Sequence, residues 1–386
     1  MNYRIDVASG NKLSVLGMGC MRFPRDKGET ERMLLAAIEG GVNFFDTAYI
    51  YPGSEKTLGE ILAKNKKREK VFIATKLPLI MCKTNPDFDR LFNEQLKRLQ
   101  TDYIDYYFLH NVTDFGQWAR MKELGIVEWL ENKKEAGAIR NIGFSYHGTC
   151  DEFEKILADY AWGFTMVQYN YYDPNYQAGG RGVEAAAEKG ISVIIMEPLL
   201  GGRLATGLSK DAEAIFKKAE PNKSPADWAL HWLWNQPAVT VVLSGMNSTD
   251  ILQKNLNAEK TFIPLSENEQ SIYNDVRAKF REKDKINCTG CNYCLPCPKG
   301  INIPAVLSAY NAGYVQNYFT GMTLYITSTA LIRKEHLSPR PCNHCGKCEK
   351  NCPQNIDIRK ALKKAASRME PLPVRGIMKL ARWFLS

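Results

Sequence analysis

No run of eighteen apolar residues occurs in the chain, so it offers no segment long enough for a membrane-crossing helix. Its opening, MNYRIDVASG, has neither the basic flank nor the apolar core of a secretory signal, which sets the expectation of a cytoplasmic protein. A Rossmann-type dinucleotide fingerprint is missing as well: Gly17 and Gly19 follow the first strand-like run, but Arg22 holds the third glycine position. With 45% hydrophobic and 24% charged residues over 386 positions, the composition excludes disorder, collagen and coiled coil. That length suffices for one large core with an appendage, or for two to three ordinary domains.

Against these absences stands a surplus of cysteine. Eight of the eleven fall between Cys288 and Cys352, while Cys20, Cys82 and Cys150 are scattered, as small buried side chains are. Crowding and regular spacing without a secretory signal point to metal rather than to disulfides. Charge is divided as sharply. Residues 281–386 carry 17 Lys and Arg against 6 Asp and Glu, whereas residues 1–280 carry 34 against 36. Two four-iron clusters with eight thiolates would add roughly −4 and offset part of that basicity, so nucleic acid is not called on as a partner. The run KNKKREK at 64–70 reads as a solvated turn.

Short β-branched or aromatic runs alternate with helical stretches up to about residue 256. The strand candidates are SVLGMG at 14–19, NFFDTA at 43–48, VFIATK at 71–76, YIDYYFLH at 103–110, IRNIGFS at 139–145, FTMVQYN at 164–170, ISVIIME at 191–197 and VTVVLSG at 239–245. Eight β/α units in about 250 residues predict an α/β fold, a (β/α)8 TIM barrel. The preceding YRIDVASGNKLSV reads as a hairpin turned at Ser9-Gly10-Asn11 that plugs the barrel floor. The expected division is a barrel over 1–280, a cysteine-bearing domain over 281–370 and a basic amphipathic tail over 371–386. Within the second domain, the apolar segment from Ile301 to His336 is expected to pack as helix on the barrel. In the tail, Ile377, Met378, Ala381, Phe384 and Leu385 share a face largely opposite Arg375, Lys379 and Arg382.

The cysteines form two motifs: Cys288-Thr-Gly-Cys291-Asn-Tyr-Cys294-Leu-Pro-Cys297-Pro298, and Cys342-Asn-His-Cys345-Gly-Lys-Cys348-Glu-Lys-Asn-Cys352-Pro353. A tetrahedral zinc site needs two C-x-x-C pairs and has no use for a third cysteine and a fourth before proline. The motifs resemble the bacterial two-cluster ferredoxin domain. That resemblance implies a ferredoxin-like iron–sulfur domain in which Cys288, Cys291, Cys294 and Cys352 hold one 4Fe-4S cluster. Cys342, Cys345, Cys348 and Cys297 would hold the other. One departure is that two residues, not three, separate Cys294 from Cys297.

In eight-fold barrels the active site lies at the carboxyl ends of the strands. Asp46 closes NFFD, Tyr51 follows in the next loop, Lys76 ends VFIATK and His110 ends DYYFLH. A phenol with a pKa of about 10 needs a neighbouring cation to give up its proton near neutrality. Lys76 can supply that charge, Asp46 can fix Lys76, and His110 can orient a substrate oxygen.

FDTAYIYPGSEKTLGEIL, ATK, FLH, GFS, VQYN, MEPLLGG and VVLSGMNSTDILQKNL together resemble the aldo-keto reductases over about residues 1–275. The resemblance implies Tyr51 as general acid, Lys76 and Asp46 as its tuning pair, and His110 as the carbonyl-orienting group. It further implies NADP(H) or NAD(H) bound at Ser145, Gln168, Pro198, Leu199, Gly245 and Asn255, and a small-molecule carbonyl substrate. Several positions depart from the family pattern. Tyr146 stands where an Asn commonly holds the carboxamide, and Met196 where an aromatic often stacks on the nicotinamide. Gly245 and Ile251 occupy the places of 2′-phosphate-gripping cations, with Lys254 nearby. Phe23, Tyr49, Trp118, Tyr146 and His147 are expected to wall the pocket.

The joined halves resemble the ferredoxin-tailed branch of the family. Three readings follow. One is a nicotinamide-dependent carbonyl reductase carrying two 4Fe-4S clusters. The second is a reductase whose clusters feed single electrons to a substrate or flavin in the barrel. The third is a non-enzymatic electron-transfer adaptor whose basic tail faces an acidic redox protein.

Overall fold

The structure, a computed structural model, describes residues 1–283, 285–315, 317–329 and 338–376; residues 377–386 of the expected tail lie outside the described residues. Two compact units divide the chain. The first is Met1–Pro198 with Ala229–Leu265; the second is Leu199–Trp228 with the chain from Ser266 onward.

In the first unit, β1 (Tyr3–Ile5) and β2 (Lys12–Ser14) form the hairpin. Eight strands follow: β3 (Leu16–Gly19), β4 (Phe44–Asp46), β5 (Phe72–Pro78), β6 (Ile104–Val112), β7 (Ile139–Tyr146), β8 (Phe164–Gln168), β9 (Ser192–Met196) and β10 (Val239–Ser244). They pair in parallel in chain order, and β10 returns to β3 through Val242 and Leu16 to close the barrel. Every strand candidate is present, with ends shifted by a few residues. The helices between them are α1 (Lys27–Glu39), α2 (Ser54–Lys64), α3 (Pro86–Leu99), α4 (Phe115–Glu123), α5 (Ile126–Glu135), α6 (Cys150–Asp159) and α7 (Gly179–Glu188). Capping side chains set several starts: Asp26 accepts from the Glu29 amide ahead of α1, and Asp114 from the Gln117 amide ahead of α4. Pro86 opens α3, where its missing N–H costs nothing.

Alternation along each strand sorts the apolar side chains into two layers. Phe44, Ala74, Tyr106, Phe108, Phe164, Met166, Ile194 and Val241 fill the barrel, and Leu13 of the hairpin closes it from below. Asp6 fixes that plug by accepting from the Tyr106 hydroxyl at 2.8 Å and the Ser192 hydroxyl at 2.7 Å. The opposite strand faces meet the helices in a second, larger apolar layer. Each fully buried Leu, Ile, Val or Phe contributes about 1.5–3 kcal/mol, so the wall between mouth and floor is rigid.

The second unit begins with α8 (Arg203–Thr206) and α9 (Lys210–Ala219). Next comes α10 (Pro225–Trp234), whose last turns belong to the first unit, as does α11 (Thr249–Lys260). The chain continues through α12 (Glu267–Lys283), α13 (Ile303–Val315), α14 (Tyr318–Thr329), α15 (Lys347–Lys350) and α16 (Ile358–Met369). The apolar segment after Ile301 is thus helical over Ile303–Val315 and Tyr318–Thr329. Its core joins Ile303, Val306, Leu307, Tyr310 and Tyr325 to Ile358, Leu362, Ala365 and Met369. A Cβ on Gly321 would sit 2.5 Å from Gly313 Cα, so glycine permits the close crossing of α13 and α14.

Candidate active site and cluster-binding cysteines

Register brings the four expected residues together at the carboxyl ends of β4, β5 and β6. Asp46 ends β4; Lys76 lies two residues before the end of β5, and His110 two before the end of β6, both on the inward faces that carry Ala74 and Phe108. Tyr51 sits half-buried in a turn after β4, where the Tyr51 amide donates to the Ala48 carbonyl at 3.0 Å and the Ser54 amide to the Tyr51 carbonyl at 3.1 Å. The Lys76 ammonium donates to Asp46 Oδ1 at 2.5 Å and to the Thr47 carbonyl at 2.7 Å. It stands 5.3 Å from the centre of the Tyr51 ring. His110 meets that ring edge-on at 6.1 Å.

Lys76 is 1% exposed and Asp46 5%, so neither charge has bulk water to solvate it. The pair is tolerated because each partner answers the other. Burial pushes the Asp46 carboxyl up, and the attraction of Lys76 opposes that rise. Burial, then the charge of Lys76 and then His147, hold His110 well below the usual imidazole range. Its ring is therefore neutral at neutral pH. His147 is also neutral: burial draws it down to about 4, against the opposing hydrogen bond between its Nδ1 and Gln177 Oε1 at 3.2 Å.

Behind the tetrad lies a polar brace with no counterpart in the sequence reading. Glu55, 1% exposed, accepts from the Thr75 hydroxyl at 2.6 Å, from Gln95 Nε2 at 2.8 Å and from Arg98 at 3.1 Å. Gln95 Nε2 also donates to the Lys76 carbonyl at 3.1 Å, and Gln95 Oε1 accepts from the Tyr107 hydroxyl at 2.7 Å. Arg98 in turn donates to the Tyr49 carbonyl at 3.2 Å. The loop bearing Tyr51 and the strand bearing Lys76 are thereby tied to one scaffold. α2 comes close enough because of Gly59, whose added Cβ would lie 2.5 Å from the Arg98 carbonyl oxygen on α3. Glu55 stands in the SEKTLGE run, but only three-dimensional packing shows that it faces a glutamine forty residues away.

The expected nucleotide contacts are distributed as follows. Ser145 and Gln168 face inward near the ends of β7 and β8, both 2% exposed, and the Ser145 hydroxyl accepts from the Asn111 amide at 2.8 Å. A hydroxyl and a carboxamide on adjacent strands suit the amide group of a nicotinamide, and an added Cβ on Gly245 would meet nothing within 4 Å. Asn255 is buried and donates to the Ser244 hydroxyl at 2.7 Å, joining α11 to the end of β10. Lys254 is occupied by Asp250 at 2.7 Å on the exposed face of α11. Pro198 closes a stretch of the first unit and Leu199 opens the second.

Two of the expected pocket walls are core instead. Tyr146 turns outward by strand alternation, its ring against Phe144 and Phe153 and its hydroxyl donating to the Thr149 carbonyl at 2.7 Å. Trp118 packs in the helix layer against Trp162 and donates to Asp159. Phe23 and Tyr49 are only partly buried, and His147 is buried beside Gln177.

In the second unit, seven of the eight clustered cysteines are partly buried and Cys345 is exposed. One cavity is lined by Cys288, Cys291, Cys294 and Cys352 with Ile303, Leu307 and Ile358. A second is lined by Cys297, Cys342, Cys345 and Cys348, with Cys294 at their shared wall. Burial, then Cys291, Cys288 and Cys352, push the Cys294 thiol up to about 12. The neighbouring thiols thus oppose ionisation of Cys294, a penalty that bound iron would remove. The donor set, sulfur only and framed by apolar side chains, fits a 4Fe-4S cluster in each cavity.

An eight-stranded parallel barrel with an Asp–Lys pair and a neutral histidine at its mouth, joined to a paired-cysteine domain, is the architecture of a composite oxidoreductase. The sequence profile of the aldo/keto reductase family matches residues 15–277, and that of a 4Fe-4S dicluster domain matches residues 287–357. The chain belongs to the aldo/keto reductase family and carries a C-terminal 4Fe-4S dicluster domain. It is similar to the uncharacterized oxidoreductase YrpG of Bacillus subtilis, 27% identical over 72% of this chain and 96% of that protein. It is also similar to the D-galacturonate reductase of Fragaria ananassa, 30% identical over 62% of this chain and 80% of that one. Among solved structures, the holo form of aldo-keto reductase AKR11C1 from Bacillus halodurans superposes with a TM-score of 0.61. The two are 25% identical, and the match covers 72% of this chain and 96% of that one.

Proposed function

We propose that the barrel reduces a small-molecule aldehyde or ketone, with NADP(H) or NAD(H) as the hydride source and Tyr51 as the proton donor. The observation that carries this reading is the Lys76 ammonium, clamped by Asp46 and Thr47 and held 5.3 Å from the Tyr51 ring. A fixed positive charge there stabilises the phenolate left when the hydroxyl proton moves to the carbonyl oxygen. His110, neutral and edge-on to Tyr51, orients that oxygen by donating a hydrogen bond without competing as an acid. Asp46 and the Thr47 carbonyl hold the Lys76 ammonium in place.

When bound, a reduced nicotinamide supplies the hydride that reaches the carbonyl carbon. Ser145 and Gln168 would hold its amide group, with Pro198, Leu199, Gly245 and Asn255 along the rest of the dinucleotide. Tyr146 faces away and takes no part in that grip. The Lys254–Asp250 pair gives no preference for a 2′-phosphate, so both nucleotides remain substrates of the reading. Cys288, Cys291, Cys294 and Cys352 would hold one 4Fe-4S cluster, and Cys297, Cys342, Cys345 and Cys348 the second. A cluster supplies single-electron transfer when bound.

Titration of anaerobically purified protein with NADPH and NADH tests this reading. Saturable binding of either, with oxidation dependent on a carbonyl compound, is expected. A second reading, in which clusters feed electrons to a flavin or substrate in the barrel, rests on the outward turn of Tyr146 and on Met196 in the stacking position. Failure of both nucleotides to bind would favour it.

A further inference from the structure

The eight expected cluster ligands do not lie equally deep. Cys345 is exposed, whereas the other seven are partly covered. It belongs to the second cavity, whose rim carries Lys347 and Arg359. α15, which follows the loop holding Cys345, is clipped to the start of α16: Arg359 pairs with Glu349 at 2.7 Å, and the Arg359 amide donates to Glu349 Oε1 at 2.8 Å. α15 and α16 therefore present one continuous surface beside the most open cysteine.

That surface has a single sign. Residues 338–376 contain nine Lys and Arg against three Asp and Glu. All three acids are used internally. Glu349 holds Arg359, Asp357 caps α16 by accepting from the Lys360 amide, and Glu370 is buried with Arg340, Tyr325 and Ser338. Lys347, Lys350, Lys360, Lys363 and Lys364 are exposed, and among the described residues none of them is ion-paired with a carboxylate. Such a patch exceeds what the cluster charge requires, because roughly −2 per four-thiolate cluster would not cancel it.

We propose that the α15–α16 face is the docking site of an acidic one-electron carrier protein, which exchanges electrons with the second cluster at the Cys345 edge. This inference rests on the two-cluster reading above. In each exchange one electron leaves the reduced carrier and one cluster takes it up, with no bond made or broken. Complementary charge raises the encounter rate by about 10- to 1000-fold and orients the carrier toward the exposed cysteine. An anionic bilayer is the less suited occupant. The apolar side chains of α16, Ile358, Ala361, Leu362, Ala365, Ala366 and Met369, are all buried, so it has no apolar face to insert.

The test uses anaerobic holoprotein whose iron is first quantified, mixed with reduced flavodoxin as the acidic carrier. Iron near about eight per chain establishes the two-cluster reading by itself; iron-free protein overturns that reading and the inference with it. With iron present, cluster reduction by flavodoxin should slow at least about tenfold from low to high ionic strength. The triple variant Lys360→Gln, Lys363→Gln, Lys364→Gln should slow it at least about tenfold and weaken binding of oxidised flavodoxin, while reduction by dithionite keeps its rate. A single Lys363→Glu variant should move both readouts in the same direction. Rates and affinities indifferent to salt and to both variants would overturn the proposal. So would binding to phosphatidylglycerol-containing vesicles with none to flavodoxin.

Discussion

Lys76 Nζ stands 2.5 Å from Asp46 Oδ1, with both side chains nearly sealed from water. Everything proposed for the barrel follows from that pair. It holds the Lys76 ammonium 5.3 Å from the centre of the Tyr51 ring, where the proposed mechanism needs a cation.

Removing the partner exposes the cost. Asp46→Ala leaves a buried ammonium with only the Thr47 carbonyl, and should destabilise the barrel by about 3–5 kcal/mol. Asp46→Asn keeps an acceptor and should fold better than Asp46→Ala, while still losing most turnover. Chemical unfolding and kcat measured on both variants check this.

The two buried histidines give the barrel a pH dependence of definite sign. His110 and His147 bind protons less readily folded than unfolded, since burial lowers both. The unfolded chain therefore takes up more protons below the ordinary imidazole pKa of about 6.5. Stability should be flat above that pH and fall as the pH drops toward about 4, where His147 itself titrates. At about 1.4 kcal/mol per pH unit per group, His147 alone contributes about 3 kcal/mol across that window. The midpoint of the barrel's urea transition at neutral and mildly acid pH reads it, and His147→Gln should flatten the slope.

The brace behind the site makes a prediction at residues that touch no substrate. Gly59→Ala would press a methyl group into the backbone at the end of α3, at 2.5 Å. It should cost about 2–3 kcal/mol, as overpacking does, and lower kcat by loosening the Tyr51 loop. Glu55→Gln keeps the acceptor for Thr75 but loses the charge opposite Arg98, so it should be the milder change. Thermal unfolding and kcat of both variants check the order.

Cysteine substitutions should separate the two clusters. Cys291→Ser and Cys345→Ser are each expected to lose about half of the cluster iron, from different cavities. Cys297→Ser should behave like Cys345→Ser, because both line the second cavity. Iron analysis with low-temperature paramagnetic resonance distinguishes the patterns. Carbonyl reduction that survives Cys345→Ser would place the second cluster off the hydride path.

Much of this was legible in the sequence for physical reasons. Parallel barrel strands are buried on both faces and read as short continuous runs, so VFIATK and DYYFLH announced themselves together with the polar residues near their ends. The cysteine motifs were legible because cluster ligation fixes spacing. Side-chain direction was harder. Tyr146 and Trp118 looked like pocket walls because both lie near the mouth in sequence, but one step of strand alternation turns Tyr146 into the helix layer. The brace of Glu55, Gln95 and Arg98 depends on how α2 crosses α3, which no local pattern encodes. Nor does composition reveal that Leu199–Trp228 groups with the second unit, since that grouping is made by contacts such as Phe216 edge-on to Tyr273 at 5.8 Å.

The most direct test of the account is the turnover of Tyr51→Phe with NADPH or NADH and a reducible carbonyl compound, measured on protein whose cluster absorbance and fold match the parent. Loss of turnover with nucleotide binding retained is the predicted result. Reduction at the parental rate would show that the proton comes from elsewhere and would contradict the proposal for Tyr51 and Lys76.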